Sequence, residues 1–565
     1  MPMNLIKIVA FGCLCSTLLV SPSIADDAHR LWVYAPVNFQ VDQDVDRLIK
    51  LLARAKKAGY NGAAITDFKF GKLDERPDNY YRNLVRTRTV AEELELELIP
   101  LVMQIGYSNS LLQNNPNLAA GLPVKDCKFV VKQNEARPAS KQNFLDGGDF
   151  EAASKNAPER WDWIDGFGTA SKLDASIKHS GRSSLRMDAS RKDEGSGGNC
   201  RVVRRVTLKP FHEYRLTLWV KSDGLQTSEF KFMPIDEGGR ALNHANLGIK
   251  STQDWTRHRV VFNSLEHKEV NVYLGLWGAQ SGQVWIDDVQ LEEVGGINLL
   301  RREGCPLRVR SGDGSVEYQE GLDFTRWEDP LLGRVPYAGE YDDDHEAPPI
   351  RLTNQSRIRD GDVLGVSYYH AAIIQDSQVC CSLVAEEVFD LLRREVIQID
   401  QYLKPKRYFM SHDEIRVAGW DELAQGRPSG KLLADNVHRC EKLIHEICPN
   451  AEVMVWSDMF DPNHNAHDHY YLVHGTLAGS WQGLDESVSV VNWNGGNAKS
   501  SLSFFANRGH QQIIAGYYDD DVKKNVGQWK QAARGIRNVK GFMYTTWQLN
   551  YSDLEAFADQ VRSNE

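Results

Sequence analysis

Three ionisable side chains follow one another in the stretch YFMSHDEIRVAGW, residues 408–420: His412, Asp413 and Glu414. They stand where an apolar, strand-like run is expected to end. Neighbouring carboxylates repel, and burial raises the pKa of at least one, so such a pair offers a proton donor beside an ionised partner near neutral pH. Successive residues of a regular strand face opposite ways, so both carboxylates serve one site only if the strand curls into a loop. The pattern indicates acid–base chemistry, with a helix cap as the alternative for the dipeptide alone.

Aromatic and acidic side chains stand at the ends of four further predicted strands. The apolar CH faces of sugar rings stack on aromatic rings, and glycoside hydrolysis uses paired carboxylates. The sequence therefore predicts a sugar site in which Asp413 and Glu414 are catalytic and His412 contacts the substrate or supports Asp413. The other predicted substrate-binding residues are Trp456, Asp458, Trp493, Tyr517, Tyr518, Asp519 and Trp547.

Eight strand-like runs must position these residues. LWVYAPV, NGAAITDF and LELIPLVMQI alternate with helical stretches up to Ile105, and the pattern resumes near Leu383 with RYFMSHDE, AEVMVWSDM, SVSVVNW, QQIIAGYY and GFMYTTWQ. This alternation predicts an α/β fold, a (β/α)8 TIM barrel whose catalytic groups lie at the carboxyl ends of the strands. The run VLGVSYY (363–369) is an alternative ninth barrel strand.

A large segment interrupts the barrel after strand three, and its residue pattern differs from that of the barrel. Its short alternating runs, separated by Gly, Asp, Asn and Ser, predict a β-sandwich followed by a β-rich flap. The predicted segments are a signal peptide (1–25), the first part of the barrel (26–142), the sandwich (143–296), the flap (297–375) and the second part of the barrel (376–565).

The sandwich resembles the jelly-roll carbohydrate-binding modules of secreted polysaccharide enzymes in its opening NFLDGGDFE, its middle HSGRSSLRM and its closing VWIDDVQLEE. The resemblance implies a structural calcium at Glu151 and Asp288, since hard oxygen ligands suit that ion. Surface carboxylates at turns are the alternative.

The net charge, the cysteines and the N-terminal residues exclude several classes of protein. A formal net charge of −11 without a long basic block argues against nucleic acid or an anionic membrane as partner. Residues 1–25 are typical of a secretory signal, and no later segment could span a bilayer, so we expect a secreted or periplasmic protein. The seven cysteines after residue 25 include no CxxC pair, so their spacing predicts neither a zinc site nor a disulfide scaffold.

The barrel segments resemble glycoside hydrolase family 20, the β-N-acetylhexosaminidases, in which an Asp–Glu pair ends strand four. The resemblance implies that the substrate's acetamido oxygen attacks the anomeric carbon, that Asp413 orients that group and that Glu414 is the general acid. It also implies that Trp456, Trp493 and Trp547 surround the acetamido methyl group, that the Tyr of Tyr517-Tyr518-Asp519 binds the acetamido oxygen, and that catalysis needs no cofactor.

Three positions depart from the family pattern. Phe409-Met410-Ser411-His412 replaces His-x-Gly-Gly, the strand-one Arg is absent from LWVYAPVNF, and Leu549 stands where an acidic residue is usual. The residues that match the pattern still lead us to expect a secreted, retaining N-acetylhexosaminidase that acts on an oligosaccharide or polysaccharide. The alternatives are a glycoside hydrolase for a sugar without an acetamido group, with Asp413 or Asp458 as nucleophile or base, and a non-catalytic glycan receptor.

Overall fold

The structure is a computed structural model that describes residues 30–563, except 140–141, 155–156, 159, 192–198, 227–229, 279 and 376. The predicted signal peptide, residues 1–25, lies outside the described residues. None of the helices in the described part of the chain is long and apolar enough to cross a membrane.

Eight parallel strands form a closed barrel. One cluster of buried side chains, which includes Trp32, Leu101, Phe409, Trp456 and Met543, takes members from all eight strands and fills the interior. The third and fourth strands are neighbours, with Val102 paired to Met410, although the whole insertion separates them in sequence. The strands are Arg30–Pro36, Gly62–Thr66, Glu97–Val102, Arg407–Met410, Glu452–Trp456, Ser489–Asn492, Gln512–Ile514 and Val539–Tyr544.

Amphipathic helices cover most of the barrel. The helix Asp42–Lys57, for example, buries Val45, Leu48, Leu52 and Ala55, a spacing of three and four residues that places them on one face. The α-helices are Asp42–Lys57, Asp78–Glu93, Asn109–Leu112, Glu386–Leu403, Ser429–Ile447, Ala498–Asn507, Val522–Ala533 and Leu554–Arg562. Short 3-10 helices are Phe68–Gly71, Pro116–Leu118, Ala189–Arg191, Glu422–Ala424, Asp458–Phe460, Ser480–Gly483 and Gly495–Asn497.

The prediction of an α/β protein built as a (β/α)8 TIM barrel is wrong. Residues 457–488, between the fifth and sixth strands, are all described, and none of them lies in an α-helix; the connection has 3-10 turns and the short strand Leu472–Val473, paired with Val417–Ala418. Three antiparallel sheets inserted between the third and fourth strands also hold more strands than the barrel. The chain is a mixed protein in which strands dominate. Strand-like periodicity shows where strands lie but does not show whether a helix connects one strand to the next.

Two of the inserted sheets have five strands each and face one another, as the ring contact of Phe232 with Phe262 at 5.7 Å illustrates. The first sheet contains, in spatial order, Gln253–Asn263, Glu213–Asp223, Gln283–Val294, Ser184–Asp188 and Ser171–Asp174. The second contains Ala245–Asn246, Phe230–Asp236, Glu269–Leu276, Cys200–Thr207 and Trp163–Ile164. A separate two-stranded pair is Ala153–Ser154 with Ala157–Pro158.

The third inserted sheet has six strands, which come from the segments before and after the sandwich in the sequence. Its spatial order is Glu317–Tyr318, Arg308–Ser311, Val363–Ala371, Gly121–Lys132, Glu135–Pro138 and Ile350–Arg351. The run VLGVSYY is therefore a strand of this sheet and not a ninth barrel strand. Residues 121–138, which we assigned to the first part of the barrel, pair with residues of the predicted flap.

Candidate active site

The loop after the fourth barrel strand brings Asp413 and Glu414 to one cavity. The strand ends at Met410, and Glu414 adopts a left-handed backbone conformation with φ of 49°, which breaks the alternation of a strand. Gly106, after the third strand, lies against this loop so closely that a Cβ there would be 2.0 Å from the carbonyl oxygen of Asp413. The backbone conformation therefore explains how two successive carboxylates serve one site.

The cavity lies at the carboxyl ends of the barrel strands and has a volume of about 530 Å³. Aromatic rings form much of its wall: the ring centroids of Tyr34 and Trp547 are 5.4 Å apart, and those of Tyr34 and Trp456 are 6.3 Å apart. A sugar-sized ligand fits such a space, with apolar faces for its CH groups. The lining residues are Tyr34, Thr66, Phe68, Leu101, Gln104, Tyr107, Ser411, Asp413, Glu414, Trp456, Trp493 and Trp547.

Asp413 is a carboxyl group with a raised pKa. Burial is the main cause, and the neighbouring charge of Glu414 adds to it. Ser411 opposes the shift because its Oγ donates a hydrogen bond of 2.7 Å to Oδ1 of Asp413. Asp413 thus combines a fixed orientation with a proton affinity above that of an ordinary aspartate.

Glu414 is held by two partners. Its Oε1 forms an ion pair of 2.8 Å with Nη2 of Arg416, a side chain that is 3% exposed, and its Oε2 accepts a hydrogen bond from the hydroxyl of Tyr107. Arg416 in turn donates a 2.6 Å hydrogen bond to Oε1 of Gln378, and the amide of Gln378 donates to the backbone carbonyls of Gly106 and Glu414. This network fixes the Glu414 carboxylate at the cavity wall.

Asp458 is fully buried and is not among the lining residues of the cavity. Its Oδ2 accepts hydrogen bonds from the backbone N–H of Glu414 at 2.9 Å and from Nδ2 of Asn465 at 3.0 Å. Nε1 of Trp493 lies 3.4 Å from its Oδ1. Burial and the charge of Asp413 raise the pKa of Asp458. The structure therefore places Asp458 beneath the site, where it positions Glu414 and Trp493.

Besides Asp458, four predicted site residues lie outside the cavity wall: His412, Tyr517, Tyr518 and Asp519. His412 is buried with its Nε2 3.1 Å from Oδ1 of Asn436, and burial lowers its pKa to about 4. Tyr518 is buried against Tyr544, so it belongs to the core. Within the described residues, neither side chain forms a hydrogen bond with the carboxylates of Asp413 and Glu414.

Tyr517 and Asp519 lie at the rim. Tyr517 is 47% exposed and borders a second groove, which Trp493 also lines. Asp519 accepts hydrogen bonds from the backbone N–H of Trp547 at 2.6 Å and from the hydroxyl of Thr546. Asp519 therefore holds the loop that carries Trp547.

The two residues predicted to bind calcium flank one turn of the sandwich, residues 179–183. Glu151 accepts hydrogen bonds from the backbone and the side chain of Arg182, and Asp288 accepts one from Ser180 and pairs with His179. Cationic and neutral donors thus occupy the carboxylate oxygens, an arrangement that fits a hydrogen-bonded turn better than a calcium ligand set. The calcium stays a prediction.

Tyr34, Tyr107 and Arg416 are among the residues of the site that sequence reasoning missed. Tyr34 is in the first strand and Tyr107 follows the third, so the rule applied to the later strand ends could have found both. Arg416 stands two residues after Glu414, but its contact depends on the left-handed turn at Glu414, which the sequence does not reveal.

The sequence matches no protein-family model and no curated protein. Among solved structures, a family 16 carbohydrate-binding module is similar over 24% of this chain and 96% of its own, with 16% identity and a TM-score of 0.19. The xylan-binding domain of a Paenibacillus barcinonensis protein is similar over 26% of this chain and 91% of its own, with 13% identity and a TM-score of 0.20. A rhamnosidase from a Novosphingobium species is similar over 95% of this chain and 58% of its own, with 10% identity and a TM-score of 0.33. Similarity at these TM-scores assigns no activity to this chain.

Proposed function

We propose that this chain is a glycoside hydrolase that cleaves N-acetylhexosaminides at the Asp413–Glu414 pair. The observation that carries the proposal is that one cavity combines these adjacent carboxylates with the rings of Trp456, Trp493 and Trp547. Paired carboxylates supply acid–base chemistry, and aromatic walls bind the apolar faces of a sugar and of an acetamido methyl group. The residues also match the family 20 pattern in type and order.

In the proposed mechanism the acetamido oxygen of the substrate forms a bond to the anomeric carbon while the bond to the leaving oxygen breaks. Glu414 transfers its proton to the leaving oxygen. It later accepts one from the water that attacks the anomeric carbon, as the bond between that carbon and the acetamido oxygen breaks. For this its Oε2 turns from Tyr107 towards the substrate, while Arg416 retains Oε1. Asp413 stabilises the positive charge that develops on the acetamido nitrogen.

The position of Asp458 disfavours its alternative role as nucleophile. It is fully buried, its oxygens accept hydrogen bonds from neighbouring groups, and it does not line the cavity. Experiment distinguishes the substrate-assisted mechanism from one in which Asp413 is the nucleophile. A thiazoline mimic of the cyclic intermediate should inhibit the wild type and bind Asp413→Asn less well; a glycosyl adduct trapped on Asp413 with a fluorinated sugar would establish the other mechanism.

The first test is a panel of aryl N-acetyl-glucosaminides and N-acetyl-galactosaminides with their plain hexose analogues. Turnover should require the acetamido group, and Glu414→Gln should lower the rate about 10²- to 10⁴-fold for a poor leaving group and less for a good one. Glu386→Gln, a change at an exposed glutamate of the helix Glu386–Leu403, is the control. Turnover of the plain hexosides alone, or binding of glycans without turnover, would refute the proposal.

We also infer that the chain acts outside the cytoplasm and that its sandwich binds glycan. The first inference rests on the composition of residues 1–25, and the second on the resemblance of the sandwich sequence to carbohydrate-binding modules. Both are separate from the chemistry at Asp413 and Glu414.

A further inference from the structure

Three buried side chains from distant parts of the chain meet where the sandwich packs on the six-stranded sheet: Cys127, His212 and Glu293. A sulfur, a ring nitrogen and a carboxylate oxygen from these residues all lie within 4.8 Å of one another. Within the described part of the chain no other three His, Cys, Asp or Glu residues meet in this way. Neither the proposed reaction nor its cavity uses them.

The three residues come from different elements. Cys127 lies on Gly121–Lys132 of the six-stranded sheet, and Glu293 lies on Gln283–Val294 of the sandwich. His212 directly precedes the sandwich strand Glu213–Asp223. A ligand held by all three would therefore join the sandwich to the six-stranded sheet.

Two of the three distances between the ligand atoms approach those of a tetrahedral metal site. Oε1 of Glu293 is 3.5 Å from Sγ of Cys127 and 2.7 Å from Nδ1 of His212. Zinc bonds of about 2.0 to 2.3 Å place tetrahedral ligand atoms about 3.3 to 3.5 Å apart. The sulfur–oxygen distance fits without change, and the nitrogen–oxygen distance fits after a movement of about half an ångström.

Burial and donor chemistry favour an ion over a hydrogen-bonded thiol. The three residues are 0%, 6% and 4% exposed, and the Cys127 thiol has only long contacts, the 3.5 Å contact to Glu293 and one of 4.0 Å to the carbonyl of Val294. Nζ of Lys209 binds Oε2 of Glu293 at 2.9 Å, which orients the carboxylate and leaves Oε1 directed at the other two residues. Thiolate, imidazole and carboxylate together are ligands that suit zinc.

We propose that Cys127, His212 and Glu293 bind one divalent ion of the zinc class, which fixes the sandwich to the six-stranded sheet. The site has no CxxC spacing because its ligands come from three separate segments. Water or a backbone carbonyl would fill the fourth ligand position of the ion. The role is structural, since the three residues are buried away from the cavity at Asp413.

The test uses the full-length protein, stripped with a chelator and titrated with Co²⁺. The wild type should bind one equivalent and develop the charge-transfer band of a cobalt–thiolate bond together with the visible bands of tetrahedral cobalt. Cys127→Ser should lose the charge-transfer band, whereas Cys305→Ser, a change at another buried cysteine, should keep it. Zinc should displace the cobalt and raise the Tm of the wild type but not of Cys127→Ser.

His212→Gln and Glu293→Gln provide a second measurement if Cys127→Ser does not fold. Both keep the thiol but remove a ligand, so the cobalt should bind more weakly or with altered visible bands. The absence of a cobalt–thiolate band in the wild type, or its survival in Cys127→Ser, would overturn the proposal. None of these outcomes depends on glycosidase activity.

Discussion

Asp458 is a buried carboxyl group whose described hydrogen-bond donors are all neutral: the backbone N–H of Glu414, the amide of Asn465 and the indole of Trp493. The charges of Asp413 and Glu414, both acidic, act on it in the same direction as burial. Ionised Asp458 therefore costs the folded protein free energy, and the cost is the reason for its raised pKa. At the scale of a residue, the site is organised around a carboxyl group that does not line the cavity.

Asp458→Asn should relieve this cost in a pH-dependent way. The pKa of Asp458 is higher in the folded protein than the ordinary 3.8, so the folded state binds more protons than the unfolded chain above that pH. The stability of the wild type therefore falls as pH rises from about 4 through the folded pKa, while Asn does not titrate. The Tm of the variant relative to the wild type should be higher at about pH 8 than at about pH 5, with each tenfold change in proton affinity worth about 1.4 kcal/mol.

The control for this prediction is Asp468→Asn, at an exposed aspartate of the same connection. It should leave the shape of the curve of Tm against pH unchanged. Parallel curves for Asp458→Asn and the wild type would contradict the prediction.

At the scale of elements, the loops after neighbouring barrel strands position one another. Gly106 after the third strand lies on the carbonyl of Asp413 after the fourth, and Asp519 after the seventh strand binds the loop that carries Trp547 after the eighth. Parallel strands place all these loops at one rim, so a contact between two loops fixes both. Trp547 is 56% exposed and depends on such support for its position.

Asp519→Asn should loosen the loop of Trp547. The change replaces one acceptor oxygen with an NH2 group, which then faces the donors of Thr546, Trp547 or Gln548. A hydrogen bond of this kind is worth about 0.5 to 1.5 kcal/mol, so we expect KM to rise by up to about 10-fold with a smaller change in kcat. Limited proteolysis at residues 546–550 should also become faster.

Asp520→Asn is the matched control because Asp520 is exposed and next in sequence. Its kinetics and proteolysis should equal those of the wild type. Unchanged proteolysis in Asp519→Asn would show that the loop does not need this carboxylate.

At the scale of the whole molecule, the sandwich makes polar contacts with the six-stranded sheet and with a loop beside it. The Tyr368 hydroxyl donates a buried 2.7 Å hydrogen bond to Glu213, and Arg215 forms a 2.9 Å ion pair with Glu346, an exposed residue of the loop before the strand Ile350–Arg351. Burial raises the pKa of Glu213 to about 8. A sandwich cut free of the six-stranded sheet would expose these groups without their partners.

A fragment of residues 143–296 should therefore unfold at a lower temperature than a fragment of residues 119–375. We expect a difference of at least about 4 °C, which corresponds to one or two kcal/mol for domains of this size. Thermal unfolding followed by circular dichroism measures it. In the longer fragment Tyr368→Phe should lower the Tm and Tyr369→Phe should not; equal Tm values for the two fragments would show that the sandwich is stable by itself.

The eight barrel strands could be predicted from sequence because each is a short apolar run, and local patterns of side chains determine where strands form. Asp413 and Glu414, with the tryptophans at 456, 493 and 547, could be predicted for a related reason: residues just after such runs meet at one rim. The same patterns could not show how the strands are connected, so the (β/α)8 prediction failed at residues 457–488. Residues 121–138 lie in the six-stranded sheet, although the predicted first part of the barrel, residues 26–142, included them. Pairing depends on contacts between segments far apart in sequence, which local periodicity does not contain.

Only the tertiary structure decided the direction of each side chain and its partners. His412 and Tyr518 stand beside site residues in sequence but are buried away from the cavity, because the loops that carry them turn after the strand ends. Arg416 reaches Glu414 through a left-handed turn, and Cys127 meets His212 and Glu293 across two sheets. The sequence by itself determined which chemical groups the chain brings to the rim of the barrel. The packing of distant segments decided which of those groups share a site, since burial and hydrogen bonding are set by neighbours in space.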